Sequence, residues 1–240
     1  MSSLLDKVVC ITGASRGLGE SLARACDAAG ARLVLGARTL PDLEAVAGRC
    51  KDALHLQTDV RIASEVDALV SVALTEFGRL DVMINNAGLA IYGPVESLDS
   101  TAVDELIDTN VKGVIYGSQA ALRHMKEQRS GHIVNIGSVA GKLHLPNEAV
   151  YNASKWAVTG FTGTLRLEAE RYGVKVTHVA PGGIDTPFWR EMDFYPFPDH
   201  IDPERDFMKP DDVARSVIQV LGTPGSYAVP ELVMTPMIPR

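Results

Sequence analysis

Apolar and polar positions follow two alternating patterns along the chain. Short runs of apolar and β-branched residues, typical of buried strands, lie at 8–12, 33–37, 53–57, 82–85, 133–136 and 174–179. The segments between them repeat apolar residues every three or four positions, which predicts helices over 17–29, 41–50, 63–77 and 151–172, and over 101–129 in one or two pieces. Because parallel strands need crossover connections, this alternation predicts an α/β fold, a doubly wound parallel sheet with helices on both faces.

The length of the chain fits one such sheet. A chain of 240 residues can bury one large core, and the sequence shows no internal repeat, low-complexity tract or Gly/Ser linker. We therefore expect a single domain over residues 1–240. One stretch departs from the pattern of strands and helices, since residues 187–210 are rich in proline and aromatic side chains.

Composition argues against several classes of partner. The net charge of −7 disfavours sequence-independent binding to nucleic acid, because phosphate backbones attract basic surfaces. The polar opening MSSLLDK and the short apolar run after it do not resemble an export signal or a membrane span. We expect a soluble cytoplasmic protein that binds neither nucleic acid nor membranes.

Cysteine and histidine spacing indicates neither disulfides nor a metal. The three cysteines, Cys10, Cys26 and Cys50, form no C-x-x-C pair, and their odd number argues against a disulfide framework. The six histidines show no H-x-x-x-H spacing. We therefore predict no metal site, and the free cysteines fit a reducing compartment.

The segment TGASRGLG, residues 12–19, follows the first predicted strand and begins the first predicted helix. In doubly wound sheets, ligands bind beyond the carboxyl ends of the strands. Glycine at 13, 17 and 19 would leave backbone N–H groups bare at a helix N-terminus, where a diphosphate binds well. These glycines could serve only the turn, but their position after the first strand favours a phosphate site.

Two arginines near this loop bear on which dinucleotide would bind. Arg16 lies in the first turn of the predicted helix, where a cation is disfavoured unless an anion binds nearby. The second predicted strand ends LGAR, so Ala37 occupies the position at which an NAD site carries an acid for the ribose 2′-hydroxyl, and Arg38 follows it. Taken alone, Arg38 could be a solvated surface residue. Together, the two arginines and the missing acid favour NADP(H), with NAD(H) as the alternative.

The stretch YNASK, residues 151–155, is a second candidate for chemistry. Residues four apart share a helical face, so Lys155 can lie near the Tyr151 phenol. Lowering a phenol pKa from about 10 to about 7 requires roughly 4 kcal/mol of preference for the anion. A cation about 4 Å away supplies a comparable amount at an effective dielectric of about 20. Lys155 together with a nicotinamide cation could then make Tyr151 an acid or base at neutral pH, although such a pair also arises by chance.

Ser138 follows the predicted strand HIVNI, at a carboxyl end where its hydroxyl could bond a substrate oxygen. It could equally be a turn serine in GSVAG. A nucleophile elbow would need glycine at 136 and 140, but Ile136 and Ala140 stand there. We therefore expect Ser138 to orient a substrate rather than attack it.

Taken together, these motifs resemble those of the classical short-chain dehydrogenase/reductase family over essentially the whole chain. The matching segments are T-G-x-x-x-G-x-G at 12–19, Asp59 in TDV, NNAG at 85–88, Asn110, Ser138, Tyr151 with Lys155, and PGGIDT at 181–186. The resemblance implies a Rossmann-type fold and hydride transfer between NADP(H) and a carbonyl or an alcohol.

The resemblance also implies roles for individual residues. Tyr151 would be the general acid for carbonyl reduction, and Ser138 would orient the carbonyl. Lys155 would also bind the nicotinamide ribose, and Asn110 would help hold a water in a proton relay. Asn110 could instead cap or bend its helix, and Asp59 could cap the next one. The cofactor-binding candidates are Gly13, Ser15, Arg16, Gly17, Leu18, Gly19, Arg38, Asp59, Val60, Asn86, Ala87, Gly88, Tyr151, Lys155, Pro181, Gly182, Ile184 and Thr186.

The resemblance fades after Thr186, where family members differ in substrate, and it implies a substrate lid at about 187–210. Apolar side chains predicted to line the pocket are Phe188, Trp189, Met192, Phe194, Tyr195 and Phe197 in the lid, with Leu89, Ile91, Tyr92, Leu143 and Leu145 elsewhere. Such a lining favours an apolar or aromatic carbonyl or alcohol. The nearby acids Glu191, Asp193, Asp199 and Asp202 disfavour a strongly anionic substrate.

Three further expectations follow from the resemblance. Many members are oligomers, so we expect a homodimer or homotetramer. An enzyme resembling 3-oxoacyl-(acyl-carrier-protein) reductase is an alternative, although the chain lacks the V-T-G-Q and D-G-G pattern with which many of these enzymes end. A non-catalytic NADP-binding regulator is the alternative outside enzymes, and it is disfavoured by the intact tyrosine, lysine and serine.

Overall fold

A computed structural model describes residues 4–189, 198 and 200–237. Its seven parallel strands are β1 (Val8–Thr12), β2 (Arg32–Ala37), β3 (Ala53–Gln57), β4 (Val82–Asn85), β5 (Gly131–Ile136), β6 (Val174–Pro181) and β7 (Glu231–Met234). They form one sheet in the order β3-β2-β1-β4-β5-β6-β7. The connections run outward in opposite directions from β1 and β4, so a crevice for a ligand opens between these two strands.

Helices connect the strands on both faces of the sheet, as predicted. They are α1 (Gly17–Ala28), α2 (Leu40–Ala47), α3 (Ala63–Phe77), α4 (Ser100–Ile107), α5 (Gly113–Gln128), α6 (Ala149–Glu170), α7 (Pro203–Asp206) and α8 (Pro210–Leu221). Short 3₁₀ turns lie at Val95–Ser97, Val139–Gly141 and Pro187–Trp189. The fold is therefore the predicted Rossmann-type arrangement.

Two apolar layers hold the helices against the sheet. Side chains of a strand alternate between its faces, so in β1 Val9 and Ile11 belong to the layer under α1, α2 and α8, whereas Val8 and Cys10 belong to the layer under α3, α5 and α6. All four side chains are fully buried. Burial on both faces explains why β1 reads as an unbroken apolar run rather than an alternating one.

Three elements near the end of the chain, α7, α8 and β7, were absent from the sequence prediction. The helix α8 begins at Pro210 with acids at Asp211 and Asp212 in its first turn, which is a recognisable start signal. The strand β7 has only four residues and lies at the sheet edge, where a short run between prolines gives little signal. Residues 187–210 also contain α7, so part of the predicted lid region is helical.

The predicted helix over 101–129 is divided by a π-helical turn. Residues Asp108–Lys112 form this turn between α4 and α5, and it contains Asn110. Such turns insert one extra residue into a helix and occur mostly at functional sites. Asn110 thus lies where its helix departs from regular geometry.

The amino ends of the strands are closed by ion pairs. Asp81, which precedes β4, accepts hydrogen bonds from Arg79 at 2.6 and 2.8 Å, from Lys7 at 3.2 Å and from the Val8 N–H at 2.9 Å.

None of the helices in the described ranges is long and apolar enough to cross a membrane. The same ranges contain no group of three or more His, Cys, Asp or Glu residues that could hold a metal.

Candidate active site

The glycine loop joins β1 to α1 and packs against the segment that follows β4. Gly13 has a φ of +64°, and a Cβ there would lie 2.7 Å from the Ala87 Cα. A Cβ at Gly19 would lie 2.0 Å from the Gly13 carbonyl oxygen. A side chain at either position would therefore collide with the backbone. The loop leads directly into the N-terminus of α1 at Gly17, a position that favours a diphosphate.

The segment after β4 braces this loop through hydrogen bonds. The Thr12 hydroxyl accepts from the N–H groups of Asn86 at 3.0 Å and Ala87 at 3.2 Å. The Asn86 side chain donates in turn to the carbonyl oxygens of Thr12 at 2.9 Å and Gly13 at 3.1 Å. The contacts fix the shape of the loop before any ligand binds. They tie residues 86–87 to the start of the glycine loop.

A cleft of about 410 Å³ opens at the carboxyl ends of β1 to β6. All eighteen cofactor-binding candidates predicted from the sequence line it, as does Ser138. The N-terminus of α1 beside the glycine loop and the exposed guanidinium groups of Arg16 and Arg38 fit an anionic dinucleotide. Segments that are far apart in sequence thus form one extended site.

Charged residues surround the part of the cleft that follows β2 and β3. Arg38 forms an ion pair with Glu105 of α4 at 2.7 Å, and Glu105 also pairs with Arg61 at 3.2 Å. Arg61 pairs with Asp59 at 2.5 Å, and these hydrogen bonds lower the pKa of the Asp59 carboxyl. Asp42 lines the same part of the cleft. The sequence indicated an arginine without an acid at this point, whereas the fold brings acids to it from α2 and α4.

Tyr151 and Ser138 meet at the opposite end of the cleft. Ser138 follows β5 and caps the short 3₁₀ turn after it, accepting from the Ala140 N–H at 3.1 Å. Its hydroxyl lies close enough to the Tyr151 phenol to lower the pKa of that phenol. Burial raises the pKa of Tyr151, and the Ser138 hydroxyl opposes this only in part. Without a ligand, the phenol is therefore protonated at neutral pH.

Lys155 lies one helical turn beyond Tyr151, on the same face of α6. Its ammonium is 5.6 Å from the centre of the Tyr151 ring and donates to the Ile136 carbonyl oxygen at 3.3 Å. Burial lowers the pKa of Lys155 to about 8. Spacing alone correctly placed the lysine beside the tyrosine. Burial is the largest influence on the pKa of the phenol in this site, and the lowering expected from Lys155 together with a nicotinamide cation stays a prediction.

Asn110 lies behind the cleft wall, outside the lining, and is 1% exposed. Its side chain accepts from the Leu89 N–H at 2.9 Å and donates to the Leu89 carbonyl oxygen at 2.8 Å. It also donates to the Ser154 hydroxyl at 3.1 Å. The π-helical turn thus positions Asn110 to hold the backbone that forms the wall. Its expected role in a proton relay stays a prediction.

Aromatic side chains form the wall beside Tyr151. Tyr92 meets the Tyr151 ring edge-on at 5.4 Å between centres and stacks on Trp189 at 6.1 Å. Phe188 lies 6.5 Å from Tyr151. Of the other predicted pocket residues, Leu89 and Leu145 line the cleft, but Ile91 and Leu143 do not. Met192, Phe194, Tyr195 and Phe197, with the acids Glu191, Asp193 and Asp199, lie outside the described residues.

Several cleft residues were missed by sequence reasoning. Glu148, three positions before Tyr151, lines the cleft and is 5% exposed. Its helical spacing from Tyr151 was a usable signal. Gly137 was also missed, and a Cβ there would lie 2.0 Å from the His178 Nε2. No local sequence pattern could have shown that Gly137 lies against His178, because the two residues are far apart in the chain.

Comparison with known proteins supports a relationship over the whole chain. The family model described as short chain dehydrogenase matches residues 7–193. An uncharacterized oxidoreductase of Staphylococcus saprophyticus is 39% identical, with 98% of each chain covered. A solved alcohol dehydrogenase from the archaeon Thermococcus sibiricus, complexed with 5-hydroxy-NADP, is 31% identical with a TM-score of 0.86 and 95% of each chain covered.

A second solved structure is similar to the same extent. The 3-ketoacyl-(acyl-carrier-protein) reductase from Brucella melitensis, complexed with NADH, is 32% identical with a TM-score of 0.86, covering 96% of this chain and 97% of that one. These matches agree with the seven-stranded parallel sheet and its surrounding helices. The chain therefore belongs to the classical short-chain dehydrogenase/reductase family and is an oxidoreductase.

Proposed function

We propose that the protein is an NADP(H)-dependent enzyme that reduces a ketone or aldehyde to an alcohol, or catalyses the reverse reaction. The observation behind this proposal is that Tyr151 and Ser138 share one cleft with the glycine loop. A phenol, a hydroxyl and a diphosphate cradle at the carboxyl ends of parallel strands are the parts that carbonyl reduction requires.

In the direction of reduction, Ser138 donates a hydrogen bond to the carbonyl oxygen of the substrate. Tyr151 transfers its phenol proton to that oxygen as the carbonyl carbon is reduced, which leaves an alcohol and a tyrosinate. The nicotinamide cofactor, when bound, supplies the hydride. The Lys155 ammonium stabilises the tyrosinate until a proton returns to it.

The electrostatics of the site favour reduction at neutral pH. Burial raises the pKa of Tyr151, so the phenol carries the proton that reduction consumes. Oxidation needs the tyrosinate, which becomes more populated as the pH rises. Burial lowers the pKa of Lys155 to about 8, so the stabilising cation is lost at higher pH unless a ligand restores it.

The preference for NADP(H) rests on the arginines of the rim. Arg16 and Arg38 line the cleft, and the side chain at Ala37 carries no charge to repel a 2′-phosphate. Changing Ala37→Asp together with Arg38→Leu should shift the preference toward NAD(H), because an acceptor for the 2′-hydroxyl replaces a phosphate donor. Tighter binding of NAD than of NADP by the unmodified protein would reject this assignment.

The substrate is best described as an apolar or aromatic carbonyl compound or alcohol. The rings of Tyr92, Phe188 and Trp189 line the cleft beside Tyr151, and such a surface binds apolar groups better than sugars. Activity on acyl groups held by a carrier protein is a second candidate, favoured by the likeness to the Brucella melitensis reductase.

We further propose a homodimer or homotetramer in the cytoplasm. Trp156 and Leu167 of α6 are exposed and apolar, which favours contact with another copy of the chain. The three thiols are unpaired, as a reducing compartment favours. Light scattering at micromolar concentration tests the oligomeric state, and a monomer mass would contradict a homodimer or homotetramer.

A panel of carbonyls and alcohols, assayed with NADPH, NADH, NADP and NAD at the nicotinamide absorbance, tests the activity. We expect turnover with an aryl ketone and NADPH, lower turnover with NADH, and little with sugars or multiply charged keto acids. Tight binding of NADP without turnover of any panel member would favour the alternative of a non-catalytic regulator.

A further inference from the structure

Glu148 is a buried carboxylate without a side-chain partner among the described residues. It directly precedes α6 and is 5% exposed. Only its backbone forms hydrogen bonds, from its N–H to the Leu145 carbonyl oxygen and from the Asn152 N–H to its own carbonyl oxygen. Its side chain does not cap the helix that follows. No described side chain therefore compensates the charge of this carboxylate, which lines the cleft.

The position of Glu148 relates it to the reacting atoms. It lies three residues before Tyr151, and residues three apart share a helical face. Both side chains line the cleft, and Tyr92 faces them from the segment after β4. Lys155 lies one turn beyond Tyr151 and is directed toward the Ile136 carbonyl oxygen. Among the described residues, the phenols of Tyr92 and Tyr151 interact electrostatically with this carboxylate.

The surroundings of Glu148 suit an organic cation. Burial raises the pKa of its carboxyl to about 7, and no positive charge on a described residue opposes this rise. The aromatic wall supplies ring faces from Tyr92 and Trp189, which stack at 6.1 Å. Aromatic faces and a carboxylate both attract an ammonium group, and their attraction grows when water is excluded. A neutral hydroxyl would satisfy a hydrogen bond but leave the charge uncompensated.

We propose that Glu148 determines specificity by binding a protonated amino group of the substrate. The preferred substrate is then an amino ketone or amino alcohol with an aromatic or apolar body that joins the two groups. The carboxylate pairs with the ammonium while Ser138 and Tyr151 engage the oxygen at the other end. This inference rests on the proposed function, because it names the substrate class of the same cleft.

A matched set of aryl ketones tests the proposal. The set contains 4-ethylacetophenone, 4-(hydroxymethyl)acetophenone, 4-(aminomethyl)acetophenone and 4-acetylbenzoate, with their meta isomers. Values of kcat/KM with NADPH are measured for the unmodified protein, for Glu148→Gln and for Glu168→Gln. Glu168 lies on α6 and is exposed, so it controls for the loss of one negative charge.

We expect the amino ketone to be favoured over the ethyl ketone in at least one ring position. Glu148→Gln should reduce this preference by about tenfold or more, and Glu168→Gln should leave it unchanged. The preference should also increase as Glu148 ionises near pH 7 and become independent of pH in Glu148→Gln. A preference unchanged by Glu148→Gln, or a larger loss for the hydroxymethyl ketone, would overturn the proposal.

Binding without turnover separates this inference from the proposed function. Calorimetry compares 4-ethylbenzylamine with 4-ethylbenzyl alcohol on the protein supplied with NADP. Stronger, Glu148-dependent binding of the amine would support the inference even if no ketone were reduced. Reduction of ketones through Tyr151 together with equal binding of the amine by Glu148→Gln would contradict the inference alone.

Discussion

Asp81 and Glu148 are buried to a similar degree at opposite ends of the sheet. Asp81 is 7% exposed at the amino ends of the strands, and Glu148 is 5% exposed at the carboxyl ends. Burial alone would raise the pKa of Asp81, but hydrogen bonds from Arg79, the Val8 N–H and Lys7 outweigh it and hold the pKa below its usual range. Glu148 has no such partner in the part of the chain that the structure describes, and its pKa rises to about 7.

The difference shows how the two ends of one sheet are used. At the amino ends, every described contact of Asp81 ties the chain to itself, which stabilises the fold. At the carboxyl ends, polar side chains remain available to a ligand, at a cost in stability. The residues proposed for chemistry therefore lie where local interactions are incomplete.

Removal of the Tyr151 phenol, at the carboxyl ends of the strands, should give the largest effect. It should reduce turnover and leave stability unchanged. Tyr151→Phe removes the proton donor, so turnover of the best substrate should fall roughly 10²-fold to 10⁴-fold. NADPH affinity, measured by fluorescence titration, and the melting temperature should change little. Near-normal turnover by this variant would contradict the proposed mechanism.

The reciprocal change at the amino ends should affect stability and spare catalysis. Asp81→Asn weakens hydrogen bonds to a charged group and should lower the free energy of unfolding by about 1.5 to 3 kcal/mol. The melting temperature should fall by roughly 3 to 12 °C. The value of kcat for the folded fraction should not change.

An acid titration sharpens the interpretation of Asp81. Because its pKa is lowered in the folded state, its stabilisation is present above the unfolded value of 3.8 and is lost as the pH falls below it. The control Asp67→Asn removes an exposed ion pair with Arg123 and should change stability by less than about 0.5 kcal/mol. Equal losses from the two variants would refute the structural role of Asp81.

Glu148 should show the opposite dependence on pH. Its pKa rises from 4.5 to about 7 on folding, so the folded state binds more protons between these values and stability falls as the pH rises. Glu148→Gln should remove this loss and be more stable than the unmodified protein at pH 8 by about 1 to 2 kcal/mol, since the cleft admits some water. Denaturant unfolding at pH 5 and 8 measures the free energy of unfolding of both proteins. An equal change between the two pH values in both proteins would contradict this expectation.

The smallest expected effect concerns the rim of the cleft. Glu105 pairs with Arg38, so a 2′-phosphate must compete with a carboxylate for that guanidinium. Glu105→Gln should tighten NADPH binding about twofold to fivefold at low salt, with a smaller gain at high salt because the pair is exposed. The exposed Glu96→Gln serves as the control. Weaker NADPH binding in Glu105→Gln would mean that the acid holds Arg38 in place for the phosphate.

The sequence predicted those parts of the site that depend on local spacing. The glycine loop follows an apolar run, and Tyr151 and Lys155 share a helical face, so both could be placed without knowledge of the fold. The Arg38 and Glu105 pair could not, because its members are 67 positions apart and meet only through packing of α4. The raised pKa of Tyr151 depends on desolvation, which spacing does not reveal.

Tracing the hydride tests the central claim most directly. The protein is incubated with an aryl ketone and NADPH carrying deuterium at either face of the nicotinamide C4, and the alcohol is analysed by mass spectrometry and NMR. We predict one deuterium at the carbinol carbon from a single face, and formation of this product should depend on Tyr151. An alcohol without deuterium from either face, or equal transfer from both, would contradict a cleft that holds the cofactor and the carbonyl in one fixed arrangement.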